Sequence, residues 1–315
     1  VMLNVETDVV IGPVLARLAK RAGVVYTIAA GDQPGAICEL YDWADTLGLE
    51  IVAAGRGTVR YPQDRYAGPE DSAATANNLG LNAKMLNSFR DGTKAQVEMA
   101  VVANVTGLVP EVRGMHEPSV SVNELPRVFS LKEDGGILER VGVVDLANGV
   151  NADGELVESG LVNPGVFVVV TSPHQGVHRN LGHFFRHMKG KGPNYVLFRP
   201  YHLTCIETPI SVARAALYKD ATGTPKDRLV AEVLAVAKRD LWAGEVLDGG
   251  GGNTVYGLIE KAEVAREANL LPMGFAYNAR LTGDVRKDQP IRYDQVEINR
   301  DSLLYTLRRL QDLNA

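Results

Sequence analysis

Asp91-Gly92-Thr93-Lys94-Ala95-Gln96-Val97-Glu98-Met99-Ala100, running on to Asn104 and Thr106-Gly107, reads as a turn followed by a buried helix. Asp91 and Gly92 supply the turn and Thr93 a cap. From Glu98 to Val105 the residues are nearly all Ala, Val and Met, so the surroundings of the helix are expected to be dry. Lys94 and Glu98 stand four residues apart, a spacing that projects both from one face. A lysine and a carboxylate held side by side against apolar surface can move a proton or polarise a carbonyl. The same spacing fits an ordinary surface ion pair, and only the apolar setting favours the chemistry.

Toward the N-terminus, strand and helix patterns alternate. Val1–Val5, Val24–Ala29 and Glu50–Ala53 read as strands. Ile11–Ala22 reads as a helix with Leu15, Leu18 and Ala19 on one face, and Gly35–Leu47 as a second helix with Ile37, Leu40, Tyr41 and Ala44 inward. Strands separated by such helices predict βαβ units and a parallel sheet over residues 1–55. The loop Gly31-Asp32-Gln33-Pro34-Gly35 joins a strand end to a helix start, the edge at which open α/β sheets bind ligands. It also fits a tight turn with Asp32 as cap. Residues 56–80 read as a polar surface excursion.

Toward the C-terminus, residues 109–165 read as loops around short strands such as Val141–Leu146, and Val166–Val170 as a buried strand. His178, His183 and His187 follow at spacings of five and four, without HExxH and among Arg186, Lys189 and Lys191. A solvated basic helix end accounts for them better than a metal site. After Lys189-Gly190-Lys191-Gly192-Pro193 and the strand Tyr195–Phe198 comes Arg199-Pro200-Tyr201-His202. Cations beside glycines and a strand end suit an anionic substrate group. Arg199 would fork onto a phosphate or carboxylate and His202 would move a proton. Lys189 and Lys191 either join them or are solvated turn charges.

From about 229 the pattern becomes strand, turn, strand, and the phrase around Trp242-Ala243-Gly244-Glu245-Val246 recurs weakly around Thr282-Gly283-Asp284-Val285. This predicts a small β module over 229–298, with Gly249–Gly252 as a flexible turn. An amphipathic helix over Asp301–Leu313 closes the chain. The 315 residues, 45% of them hydrophobic, allow a substantial core in two or three domains. A net charge of −5 argues against nucleic acid or an anionic membrane as partner. Cys38 and Cys205 are too few for a disulfide framework and lack CxxC spacing. No apolar run approaches the roughly 18 residues of a membrane span. These features predict a soluble, cytoplasmic protein.

Asn4-Val5-Glu6, Gly31-Asp32-Gln33-Pro34, the helix at 91–108, Gly114-Met115-His116 and residues 189–204 (KGKGPNYVLFRPYHLT) together carry a resemblance covering essentially the whole chain. They resemble the 1-deoxy-D-xylulose 5-phosphate reductoisomerase-like oxidoreductases, homoserine-dehydrogenase-related proteins with a C-terminal SAF (β-clip) domain. The resemblance implies a reductase using NADP (or NAD), in which a Rossmann domain leads into a substrate domain, and a place in isoprenoid biosynthesis. It implies cofactor-binding by Asn4, Glu6, Gly31, Asp32 and Pro34. Substrate-binding would fall to Arg199, Lys189, Lys191, Asn104 and His116, with Lys94, Glu98 and His202 catalytic.

Two features depart from the pattern. The glycine-rich turn that holds a dinucleotide pyrophosphate is missing, and Val1–Val5 matches a strand from the second half of the Rossmann domain. The resemblance thus implies that roughly a hundred or more residues are absent. Homoserine dehydrogenases carry a lysine where Asn4-Val5-Glu6 stands, and their helix has an acid before the lysine, whereas Lys94 precedes Glu98 here. That makes homoserine a poor fit.

The expected architecture is α/β: a partial Rossmann-like parallel sheet at 1–60, an α+β substrate domain at 61–228, an all-β SAF-like module at 229–298 and a final helix at 299–315. The expected activity is hydride transfer to a small polyhydroxylated, phosphorylated carbonyl compound by a homo-oligomer, with a divalent metal left open. The alternatives are a non-catalytic sugar-acid-binding or assembly fragment and a homoserine dehydrogenase.

Overall fold

The computed structural model describes residues 1–58, 64–150, 155–156, 162–184 and 194–313. Asn4 caps helix α1 (Val5–Arg21), its side-chain oxygen accepting the Thr7 N–H at 3.2 Å. Glu6 and Asp8 in the first turn and Lys20 and Arg21 in the last complement the helix dipole. The strand expected at Val1–Val5 is therefore replaced by a cap and a helix start. Val9, Val10, Ile11, Val14 and Ala19 form the buried face, while Leu18, grouped with Leu15 and Ala19 on one face in the sequence, is 44% exposed. Pro13 lies inside α1, where its ring crowds the preceding turn and it offers no N–H. The side chain of Gln311 bridges the neighbouring backbone: its carbonyl accepts the Val14 N–H (3.1 Å) and its amide donates to Val10 O (3.0 Å).

Val24–Ala29 forms no strand either. It runs extended, with the Val1 ammonium on Val25 O (2.6 Å) and the Thr27 and Ile28 amides on Val1 O and Gly223 O (both 2.9 Å). Helix α2 (Gln33–Thr46), with Pro34 in its first turn, leads by a short turn into β1 (Glu50–Gly57). This is the only strand that residues 1–57 supply among the described residues. Residues 1–55 thus supply one strand of the predicted parallel sheet instead of three, and the parallel partner of β1 comes from later in the chain.

After α3 (Pro69–Leu79), α4 (Ala83–Arg90) and α5 (Thr93–Thr106) come β2 (Val109–Pro110), α6 (Leu125–Val128), β3 (Val143–Ala147), β4 (Val166–Thr171), α7 (Gln175–Phe184) and β5 (Tyr195–Arg199). The sheet order is β2-β3-β1-β4-β5. β1 and β2 run parallel to β3, while β4 is antiparallel to both β1 and β5. The carboxyl ends of β1, β3 and β5 thus share one edge with the start of β4. Because α2 turns back into β1 and α5 leads straight into β2, the N-termini of both helices return to that edge. Both faces of β4 are covered: Val166, Val168 and Val170 enter one core, Phe167 and Val169 another. That explains its unbroken apolar run.

α5 is buried nearly all round, with Met99, Ala100, Val101, Val102 and Ala103 fully enclosed. One side meets α1 and α2, the other the C-terminal region beyond α8 (Thr208–Ala213). There β6 (Ala231–Ala237) pairs antiparallel with β8 (Val255–Lys261), and β7 (Val246–Asp248), β9 (Tyr277–Leu281) and β10 (Val296–Glu297) form an antiparallel sheet in the order β10-β9-β7. The two repeated turn phrases pair with each other, Leu241 and Val285 exchanging both backbone hydrogen bonds (2.8 and 2.9 Å). The glycine turn is packed rather than loose: a Cβ on Gly251, at φ +72°, would lie 2.1 Å from Lys84 O. Helices α9 (Ala262–Glu267) and α10 (Leu303–Asp312) complete the region, α10 resting on α1. Among the described residues no helix is long and apolar enough to cross a membrane.

Candidate functional site

Lys94 lies in the first turn of α5, and the turn before it is fixed by a buried ion pair. Gly92, at φ +82°, holds the N-cap position. The cap hydrogen bond comes from Asp91, which accepts the Thr93 N–H at 2.9 Å. Thr93, predicted as the cap, is the first helical residue, and its hydroxyl accepts the Gly257 N–H (2.9 Å). The other Asp91 oxygen takes Lys238 Nζ at 2.8 Å, and Lys238 also donates to Ala67 O and Gly252 O, each at 2.6 Å. Three acceptors satisfy all three ammonium protons, which is what a lysine only 3% exposed requires.

The pairing of Lys94 with Glu98 does not form. Lys94 Nζ, mostly buried, reaches Glu6 Oε1 on α1 at 2.5 Å. Glu98, one turn deeper, is ion-paired with Arg56 of β1, whose Nε donates to Gly57 O at 3.0 Å. The physical reason is depth. Lys94 stands at the helix end, where another helix start is within reach, whereas Glu98 faces the sheet and needs a fixed buried donor. Arg56 was missed in the sequence because Ala54-Gly55-Arg56-Gly57 resembles a loop rather than the end of a central strand.

Lys94 does meet other residues of the predicted site. Gly31, at φ +86°, brings the start of α2 against the loop after β5: a Cβ there would lie 2.5 Å from Leu203 O. Asp32 occupies the N-cap position of α2, yet its carboxylate caps nothing. Burial pushes that carboxyl above its ordinary value, opposed by the charge of Lys94, a hydrogen bond from Thr204 and the charge of His202. His202 donates from Nδ1 to Pro164 O at 2.7 Å, leaving Nε2 for a proton acceptor or donor role. Glu6, Asp32, Lys94 and His202 thus converge where the starts of α1, α2 and α5 meet the carboxyl edge of the sheet. Thr204, the last residue of the 189–204 stretch but not singled out there as a site residue, joins them from the same loop as His202.

Other predicted residues have different work. Arg199 is no open anion fork: Nη1 meets Glu39 (3.1 Å), Nη2 meets Glu207 (2.5 Å), and its guanidinium lies 4.9 Å from the Tyr201 ring centre. Since Glu207 also accepts the Leu203 N–H (3.1 Å), this cluster shapes the loop that carries His202. Asn104, predicted to bind substrate, is completely buried; its Oδ1 takes the Val230 and Ala231 N–H groups (2.7 and 3.0 Å) and its Nδ2 donates to Ala231 O (3.1 Å). It clamps α5 to β6. His116 spends both ring nitrogens on carboxylates, Nδ1 on Asp145 (2.7 Å) and Nε2 on Glu111 (3.3 Å), and the Asp145 hydrogen bond raises its pKa. Asn4 is occupied as a cap, and Pro34 is buried in the first turn of α2. Lys189 and Lys191 lie outside the described residues, as does His187. His178 is held by Ser172 O (2.6 Å). Among the described residues no three His, Cys, Asp or Glu side chains cluster as a metal site.

Beside Lys94 opens a cavity of about 540 Å³. Asn4, Glu6, Thr93 and Lys94 supply its polar side, Val9, Val10, Val97 and Val233 its apolar side, and Met273 and Tyr277 close it from the C-terminal region. Lys84 of α4 adds a second cation, bonded to Asp248 O and 5.0 Å from the Tyr277 ring centre. Neither Lys84 nor Tyr277 carries a sequence signal, because the chain brings them in from segments far apart. The volume suits a small metabolite. The chemistry on offer is a lysine held by a carboxylate, next to an acid with a raised pKa and an imidazole: enough to polarise a carbonyl and pass on its proton.

Residues 31–208 match the family model described as Oxidoreductase DRL, catalytic domain. None of the curated proteins compared with the chain matches it.

Proposed function

The chain belongs to the DRL oxidoreductase family, and on that premise we propose that it reduces the carbonyl of a small, polyhydroxylated, phosphorylated compound with a nicotinamide cofactor, as a 1-deoxy-D-xylulose 5-phosphate reductoisomerase-like enzyme. The observation that carries this reading is the position of Lys94 at the wall of the 540 Å³ cavity, held by Glu6 and within the electrostatic reach of Asp32. The Lys94 ammonium donates to the substrate carbonyl oxygen and stabilises the alkoxide that forms there. Glu6 fixes the ammonium in place. Asp32 and His202 carry the proton between the lysine and solvent. Lys84 faces the anionic end of the substrate, a role that Arg199, neutralised by two carboxylates, does not fill. Met273 and Tyr277 make the C-terminal β region part of the substrate wall, which supports an SAF-like module working with the catalytic domain.

The nicotinamide cofactor supplies the hydride when bound. The residues present fit it in part. Gly31, Asp32 and Pro34 shape a helix start beside Lys94, but Asn4 is spent as a cap, Glu6 on the lysine, and the sequence holds no GxGxxG turn for a pyrophosphate.

Lys94→Met tests the reading. We expect kcat to drop at least about 10²-fold, the scale of a lost proton-transfer group, with the thermal midpoint nearly unchanged because a partly exposed ion pair contributes only about 0–1 kcal/mol. Turnover retained alongside a lowered midpoint would show that Lys94 is structural.

A further inference from the structure

Remote from the carboxyl edge, two cavities of about 610 and 400 Å³ adjoin beneath α10 and share Glu232, Arg266, Arg308 and Asp312. Their combined walls hold seven cationic side chains against three carboxylates, Glu232, Glu263 and Asp312. The chain as a whole is acidic at −5, so this local excess runs against its overall charge. Two of the carboxylates, Glu232 and Asp312, are already taken by Arg308. Arg140, Arg228, Lys261, Arg266, Arg300 and Arg309 have no carboxylate within ion-pair reach among the described residues. Cations that crowd one groove repel each other, and an anion between them relieves that repulsion.

Arg308 forms the floor of this groove. It is 8% exposed, its Nη2 and Nε are spent on Glu232 and Asp312, and its Nη1 is buried with no hydrogen-bond partner among the described residues. Arg308 is therefore no open fork, and the exposed cations around it are the ones left for phosphate oxygens. The larger cavity is the more polar, lined by Arg140, Arg228 and Lys261 together with Arg308. The smaller is walled by Leu270, Tyr293, Ile298 and Tyr305 and suits an apolar or aromatic group. We propose that this groove binds a small organic diphosphate, its phosphates among the arginines of the larger cavity and its organic part against Tyr293 and Tyr305. Grooves of this size hold a small molecule, not a nucleic acid strand.

Calorimetric titration of the chain with ADP and with inorganic pyrophosphate tests the site. ADP should bind saturably and more tightly than pyrophosphate, because only ADP fills both cavities. Arg228→Ala/Arg266→Ala, which changes two exposed side chains and spares the Arg308–Glu232 pair, should weaken ADP at least 10-fold. Lys94→Met should leave ADP affinity unchanged, which separates this groove from the proposed catalytic site. Absence of saturable binding, equal affinity in the arginine double variant, or loss of binding in Lys94→Met would each overturn the proposal.

Discussion

Asp8, one turn into α1 and 2% exposed, accepts a hydrogen bond from the Tyr26 hydroxyl at 2.6 Å on one oxygen, while the other oxygen has no partner among the described residues. Burial raises its carboxyl to about 6, with the Tyr26 hydrogen bond opposing. A carboxyl whose folded value lies above its unfolded one favours folding only while protonated. Its contribution is therefore complete below about pH 4 and is lost as the pH rises through about 6, on the order of 3 kcal/mol across that window. Urea unfolding of the wild type and Asp8→Asn at pH 4.5 and 7.5 measures this. The wild type should lose stability relative to the variant on going to the higher pH, and a difference that stays constant would mean that Asp8 is ionised throughout. Asp8 and Lys94 differ in what surrounds them: one acid has only a neutral phenol, while the lysine has Glu6 and Asp32 near. Of the two, only the lysine is equipped for exchange with a substrate.

At the scale of elements, α1 depends on a side chain from the far end of the chain. Gln311→Leu keeps the bulk but strips both groups that answer Val10 O and Val14 N around Pro13. Each buried backbone group left unpaired costs about 1–3 kcal/mol, so the variant should lose a few kcal/mol, and amide exchange should quicken at Val14 before it does in α5. Unchanged protection at Val14 would show that the helix closes over the gap by itself. This bridge also marks the limit of what the sequence reveals. The pattern of α5, the apolar run of β4 and the helix starts at 31–35 and 91–94 are local signals that single out Lys94 and Asp32, while His202 follows from the cations and glycines around the strand Tyr195–Phe198. Val1–Val5 and Val24–Ala29 read as strands because β-branched residues favour them, but a strand needs a partner, and at Val5 the local cap Asn4 decides for helix instead. Helical spacing and a dry setting bring Lys94 and Glu98 together on paper; their partners in the fold, Glu6 and Arg56, lie 88 and 42 residues away in sequence. Lys84, Tyr277 and Thr204 have the same origin, a convergence that only the packed chain creates.

For the whole molecule, the question is whether the antiparallel C-terminal region is an attachment or part of one folding unit. Thr93 accepts the Gly257 N–H at 2.9 Å, the Gln96 side chain accepts the Ile259 N–H at 2.9 Å, Asn104 clamps Val230 and Ala231, and Lys238 is buried on Asp91. One continuous apolar core runs from Val9 of α1 through Met99 of α5 to Ile259 and Leu281 of the β strands. Elements that share a buried helix cannot unfold separately without exposing that helix, so cooperativity should extend across both regions. The two tryptophans report on it: Trp43 lies on α2 beside the sheet and Trp242 in the turn before β7, each 53% exposed. Trp242→Phe and Trp43→Phe each leave one probe, and because both are surface positions neither change should cost more than about 0.5 kcal/mol. Urea curves followed by Trp43 alone and by Trp242 alone should superimpose in midpoint and slope. A Trp242 transition at clearly lower urea would show that the β region opens on its own, and the wall that Met273 and Tyr277 give the cavity would then be a movable cover instead of a fixed face.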